Sequence, residues 1–146
     1  LTGDSITIYL EDNNIKELDV DGTSFMLSQN ENHLERFDQT SSTQIKIFFS
    51  DNKIARAEFY GNVYSIYFMY DGETANGLTK SNSAETTVIF ENNEVAEVKL
   101  YRNPASEYYP EKQVNGNEKS YLLPRFVVLQ NKPTKEEMYK LLNELR

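Results

Sequence analysis

The chain has 146 residues with no cysteine, 38% hydrophobic content, and 23 acidic against 15 basic side chains, for a formal net charge of -8. That length suits one domain able to bury a core without staples, and the missing cysteines exclude a disulfide framework and thiolate metal sites. Acidic residues are spread along the chain and no basic stripe interrupts them, so nucleic acid is excluded as a natural partner: neutralising phosphates needs clustered Lys and Arg.

Ten Tyr and eight Phe, with many β-branched residues, weight the apolar material toward strands. The chain opens at Leu1-Thr2-Gly3-Asp4-Ser5, almost directly on a strand, and is expected to be a piece of a longer protein. Ile6, Ile8 and Leu10 then alternate with Thr7 and Tyr9, giving one apolar face at a two-residue period. Asp12-Asn13 marks a tight reversal, since both residue types tolerate left-handed backbone and bond their own main chain. The return strand alternates again, with Leu18 and Val20 on one side and Glu17 and Asp19 on the other.

This strand–turn–strand unit recurs twice. Ile45, Ile47 and Phe49 lead into Asp51-Asn52, followed by Ala57 and Phe59; Thr86, Val88 and Phe90 lead into Asn92-Asn93, followed by Val98 and Leu100. Ile15, Ile54 and Val95 are equivalent, which spaces the repeats by 39 and 41 residues. A period of that size predicts stacked β units, each closed by its neighbours. Gly22 and Gly61 end the second strands of the first two copies, with Arg102 in that place in the third. They are expected to form corners or bulges through which the chain continues into Ser24–Leu27, Val63–Tyr70 and Ala105–Tyr109.

Residues 1–112 are therefore expected to form one repeated β domain, with repeats near 5–27, 44–70 and 85–110. Two segments stand outside the repeat, Asp71–Gly77 and Gln113–Ser120, and both read as polar loops. Beyond them Tyr121–Leu129 reads as extended, interrupted by Pro124. Pro133 followed by Thr134-Lys135-Glu136-Glu137 has the form of a capping box. It predicts a short helix over about 134–145 with Met138, Leu141, Leu142 and Leu145 on one face. The fold class is all-β, with residues 113–146 forming a loop, an extended piece and this helix.

Catalytic chemistry finds little purchase. Repetition argues against an active centre, which needs unlike groups converging at one place. His33 is the single histidine and sits among Glu31 and Glu35 in a polar stretch, as a surface loop would. Ser41, Ser42 and Ser65 lack a nucleophile-elbow context. Glu107 and Glu111 have no feature that singles them out as an acid–base pair. The Asp/Asn turns lack the alternating oxygen ligands of a calcium loop, so no metal or cofactor is expected. The tyrosines Tyr60, Tyr64, Tyr67, Tyr70, Tyr101, Tyr108 and Tyr109 read either as cross-strand pairs or as a platform for sugar or peptide.

Several strings carry a likeness beyond the repeat itself: Arg36-Phe37-Asp38-Gln39, Asp51-Asn52-Lys53-Ile54, Gly61 through Tyr67, Gly77 through Phe90, and Tyr109-Pro110. With their order and spacing, residues 1–112 resemble the OstA-like proteins related to LptA, of the lipopolysaccharide-transport (organic solvent tolerance) family. The resemblance implies a non-enzymatic antiparallel β-jellyroll, two facing sheets folded like a taco shell, in the periplasm of a Gram-negative bacterium. Such units stack by their edge strands into a bridge to the outer membrane, and acyl chains of lipopolysaccharide lie in the apolar trough. The lining implied here is Ile6, Ile8, Leu18, Val20, Ile45, Ile47, Phe49, Phe59, Val88, Phe90, Val98 and Leu100. Any lipid affinity would come from buried methylenes, about 0.8 kcal/mol each. The alternative is a β-sandwich module with a dry core that binds protein or glycan.

Overall fold

The structure is a computed structural model describing residues 1–128 and 134–144. The three Asp/Asn pairs make the expected reversals. Asp12-Asn13, Asp51-Asn52 and Asn92-Asn93 all have positive φ, between 51° and 65°. Two successive left-handed residues give a two-residue hairpin whose twist matches that of its strands. These turns join β1 (Ser5–Glu11) to β2 (Asn14–Gln29), β3 (Phe37–Ser50) to β4 (Lys53–Asp71), and β5 (Thr74–Glu91) to β6 (Glu94–Tyr101). The loop expected at Asp71–Gly77 is shorter than its composition implied. Asp71 already pairs with Thr74, and the strand runs on through Asn76 and Gly77.

All the strands belong to one antiparallel sheet in the order β1-β2-β3-β4-β5-β6, and β7 (Ala105–Tyr109) pairs with the half of β5 that β6 leaves free. The fold is all-β, as composition and alternation required. The two apolar layers, however, come from one continuous sheet rather than from two separate ones. Register shifts fall in a line across it, at Asp21/Ser24, Ser41/Gln44 and Tyr60/Val63. On alternate strands this line is marked by left-handed pairs: Gly22-Thr23, Gly61-Asn62 and Arg102-Asn103. Bulges raise the local twist and bend a strand. Here they bend the whole sheet along one line and divide each long strand into a proximal half, next to the Asp/Asn turns, and a distal half beyond the line.

The packing shows the consequence. Met26 and Tyr67 lie past the bulge line, yet they pack on a buried cluster that includes Val20, Ile45, Ile47, Ala57, Phe59 and Val88 from before it. The same cluster holds Val63 from past the line, and every residue packed on it belongs to the sheet. Those six residues are 0–3% exposed. The sheet acts as its own lid.

The outer face of the distal half is covered differently. Phe25, Ile66, Phe68 and Leu78 are buried beneath Val114 and Leu123, with Tyr109, Tyr121 and Phe126 packed around them. The covering segment holds α1 (Glu111–Val114) and a 3-10 turn (Glu118–Tyr121). The Gln113–Ser120 stretch, expected as a polar loop, is thus helical at both ends and docks by Val114. Within the stretch expected to be extended, Leu122–Val128 joins no strand, and Leu129 lies outside the described residues. Gln39 clamps the segment: its Nε2 donates to the Tyr121 carbonyl at 3.0 Å and its Oε1 accepts the Leu123 N–H at 2.8 Å.

Helix α2 (Lys135–Glu144) starts on the expected capping box. Thr134 Oγ1 accepts the Glu137 N–H at 3.2 Å, and Glu137 Oε2 accepts the Thr134 N–H at 2.7 Å. Pro133, Leu145 and the side chains of Met138, Leu141 and Leu142 lie outside the described residues, and with them the expected apolar stripe.

The bulge line sets a testable requirement at Gly61, whose φ is 80°. A Cβ there would stand 2.5 Å from Thr43 Oγ1. Gly61→Ala is expected to lower the unfolding free energy by at least about 1–2 kcal/mol, the left-handed penalty alone. Urea melts would read it as a lower midpoint at unchanged slope.

Candidate functional site

The twelve residues expected to line a trough separate into three groups. Val20, Ile45, Ile47, Phe59 and Val88 are fully buried and form the closed centre of the folded sheet. Leu18, Phe49, Phe90 and Val98 are half-buried and pack against that centre toward the hairpin ends, and Leu100 is half-buried on β6. Ile6 and Ile8 are 49% and 53% exposed on β1. They share the inner face, since Ile6 pairs with Val20 and Ile8 with Leu18. The centre of the expected trough is filled by the chain's own side chains. Five are core, five are shoulder, and two are an exposed edge.

The reason lies in sheet position. β1 pairs with β2 on one side only, and β6 pairs with β5 on one side only. Alternation fixes the face on which a residue lies, but burial also needs a neighbouring strand. At the β1 edge, Ile6, Ile8, Leu10 (66% exposed) and Ile15 stand uncovered beside open backbone donors and acceptors. Val95 and Tyr101 are exposed on β6 at the opposite edge. Each end of the folded sheet thus offers unpaired backbone flanked by apolar side chains, the arrangement onto which another strand adds.

The solvent face of the proximal half is charged and self-paired. Lys46 Nζ lies 3.2 Å from Glu17 and 3.0 Å from Asp19, and the guanidinium of Arg56 stacks on Phe48 at 4.3 Å. On the inner face of the distal half hydroxyls replace methyls. Ser24 pairs with Ser42 and Ser65 with Ser81, each at 3.1 Å across strands. Ser42 and Ser65 are therefore sheet residues with satisfied hydroxyls, and Ser41 is likewise buried in β3.

A buried arginine and a half-buried aspartate went unmarked as sites in the sequence. Arg36, 2% exposed, is the hub beneath the C-terminal segment. Its Nη2 lies 2.5 Å from Glu111 Oε1 and 3.3 Å from Glu118, and its Nη1 is 3.1 Å from Glu111 Oε2. That same Glu111 oxygen accepts the Gly77 N–H at 2.8 Å, and these bonds hold the Glu111 carboxyl below the usual carboxylate range. Asp38 is the second group. Its Oδ1 accepts the Phe68 N–H at 2.9 Å, and burial pushes its pKa up to about 6. Next to it Tyr67 bonds Thr40 at 2.9 Å, and burial raises the Tyr67 phenol above its ordinary value.

The other candidates take structural roles. His33 is half-buried and stacks on Tyr70 at 5.6 Å, with Nδ1 3.7 Å from Glu35. Glu107 accepts from Tyr109 at 2.7 Å whereas Glu111 serves Arg36, so the two carboxylates have separate partners. The tyrosines do not form one platform: Tyr67 is inside, Tyr109 and Tyr121 meet edge to face, and Tyr64, Tyr101 and Tyr108 are exposed at different places. Among the described residues no cluster of three or more His, Asp or Glu is placed to hold a metal ion, and no helix is long and apolar enough to cross a membrane. No protein-family model matches the chain, and no curated protein or solved structure does.

Proposed function

We propose that this chain is a non-enzymatic assembly unit of a bacterial cell envelope, working in the periplasm as the OstA/LptA resemblance implies, and coupling to similar β units through its open strand edges. One observation carries the reading. The inner-face apolar row does not end where the core ends but runs out uncovered along β1 as Ile6, Ile8 and Leu10. An unpaired edge of this kind is a template for an added strand, and free-standing edges are otherwise usually blunted by charge or proline. A unit bearing such an edge at each end of one bent sheet extends the sheet and the trough together.

Lipopolysaccharide acyl chains are the second ligand of this reading. The continuity of Ile6 and Ile8 with Leu18 and Val20 favours them, because that row offers an apolar path from the edge toward the centre. The packed centre makes entry conditional on the halves parting. A dry-core module binding protein or glycan is the alternative, and the full burial of Phe59 and Ile45 supports it.

Light scattering across a concentration series tests the coupling. The chain is expected to self-associate, and Ile8→Lys, a charge on an already exposed edge, is expected to return it to a monomer with an unchanged circular dichroism spectrum. A strict monomer at every concentration would remove self-coupling. Native mass spectrometry of the same samples with lipid A separates the two ligands. Adducts lost in Phe49→Asp support the trough, whereas no adduct leaves the dry-core module.

A further inference from the structure

The bulge line gives three internally equivalent corners, and one differs from the others in a way that makes a site. At the β4 corner Thr43 fills the space beside the left-handed pair, its Oγ1 donating to the Gly61 carbonyl at 3.2 Å. Position 84 on β5 corresponds to position 43 on β3. The preceding serines make the same local bond, Ser42 Oγ to the Gln44 carbonyl and Ser83 Oγ to the Glu85 carbonyl. At 84 the residue is alanine, and Arg102 stands where the earlier corners have glycine, so both members of the contact change together. A cavity of about 210 Å³ lies there, between the β4 corner at Asn62 and the left-handed Arg102-Asn103 that joins β6 to β7.

The lining chemistry is specific. Asn62, Asn82 and Asn103, all solvent-exposed, border the cavity, and none of their side-chain amides is taken up by a protein partner among the described residues. Each amide presents a donor and an acceptor side by side, the pattern that vicinal hydroxyls satisfy. Tyr64, 48% exposed, stands at the rim. Arg102 is already paired with Glu85 at 3.1 Å, so the cavity offers no free positive charge to an anion. Its size is below the roughly 300–1,000 Å³ of pockets for drug-sized ligands, which suits one sugar ring rather than an oligosaccharide.

From these observations we infer that the third corner is a recognition site for a single neutral pyranose, either a free monosaccharide or the terminal residue of a glycan. Tyr64 would stack on the apolar face of the ring and the three asparagines would bond its hydroxyls. The site is separate from the strand edges and the trough, so it stands or falls independently of them.

Nuclear magnetic resonance on the whole chain, labelled with 15N, tests it by titration with glucose, galactose and N-acetylglucosamine, and separately with inorganic phosphate. A sugar is expected to shift the side-chain amide signals of Asn62, Asn82 and Asn103. Asn82→Ala should weaken the response at least tenfold. Tyr64→Ala, at an already exposed position, should abolish it while leaving signal dispersion intact. A glycan ending in the responding sugar that binds no better than the monosaccharide assigns the free sugar, and tighter binding assigns the glycan terminus. Silence of the three amides toward every sugar overturns the inference, as does a response to phosphate alone or an undiminished response in Tyr64→Ala.

Discussion

Arg36→Ala is expected to lower the unfolding free energy by about 3–5 kcal/mol, the largest single-residue effect we anticipate in this chain. The guanidinium is sealed beneath the C-terminal segment, where it serves Glu111 and Glu118 and lies 5.2 Å from the centre of the Phe68 ring. Removing it leaves two partly buried carboxylates facing each other without a counter-charge, and that is the main source of the loss. A second signature is local. The segment from Glu111 to Phe126 should lose hydrogen-exchange protection before the hairpins do, because Arg36 and Gln39 join it to β3. Replacing all three charged groups by apolar residues of similar volume is expected to recover most of the stability, since a buried ion pair rarely outperforms well-packed hydrophobic residues. Equal destabilisation in the single and triple variants would show that shape, rather than charge, holds the segment down. Acid should act on the same contact. Glu111 titrates below its unfolded value, so its contribution is present above that value and is lost as pH falls through the depressed folded pKa.

The hairpins were open to inspection in the sequence because each depends on local rules. Asp51-Asn52 demands a left-handed turn, and Ile45, Ile47 and Phe59 declare their face by alternation. The corners were legible too, since Gly22 and Gly61 interrupt runs that would otherwise continue. Burial was harder to read. Ile6 and Val20 carry the same pattern and share a face, yet one is half exposed and the other sealed, because β1 has no outer neighbour. Alternation assigns a side, whereas strand order assigns depth. The distal half misleads in another way: both its faces are covered, one by the folded sheet and one by residues 111–126. Ile66 and Phe68 then pack oppositely to Val63 and Tyr67 on a single strand, and no two-residue period separates core from surface. Arg36 stood only as part of a string carrying the family likeness. Its partners lie 75 and 82 residues away, and only the folded chain brings them together. The corner cavity is subtler, since Ala84 and Arg102 stand where the preceding copy has Thr43 and Gly61.

Asp38→Asn is expected to stabilise the protein at neutral pH by about 2–3 kcal/mol, at roughly 1.4 kcal/mol per unit of pKa shift. Asp38 lies in the distal half beside Tyr67, with the Phe68 N–H on Oδ1, and burial disfavours its ionised form. The direction follows from linkage. The folded pKa of about 6 lies above the unfolded carboxylate value, so between the two the native state binds the extra proton. Stability from this group is therefore full below about pH 4 and is lost as pH rises through 6. Asparagine cannot titrate, keeps an oxygen for the Phe68 N–H, and supplies the neutral side chain that the site favours. Urea melts from pH 4 to 8 would show the wild type losing stability across pH 4–7 relative to Asp38→Asn, with the two curves converging at the acidic end. Parallel curves throughout would mean that Asp38 reaches water when folded. This window lies above the one in which Glu111 is neutralised, so the pH profile resolves the two groups. Stability lost on acidification reports the Arg36 contact, and stability gained between pH 7 and pH 5 reports the distal half closing around an uncharged Asp38.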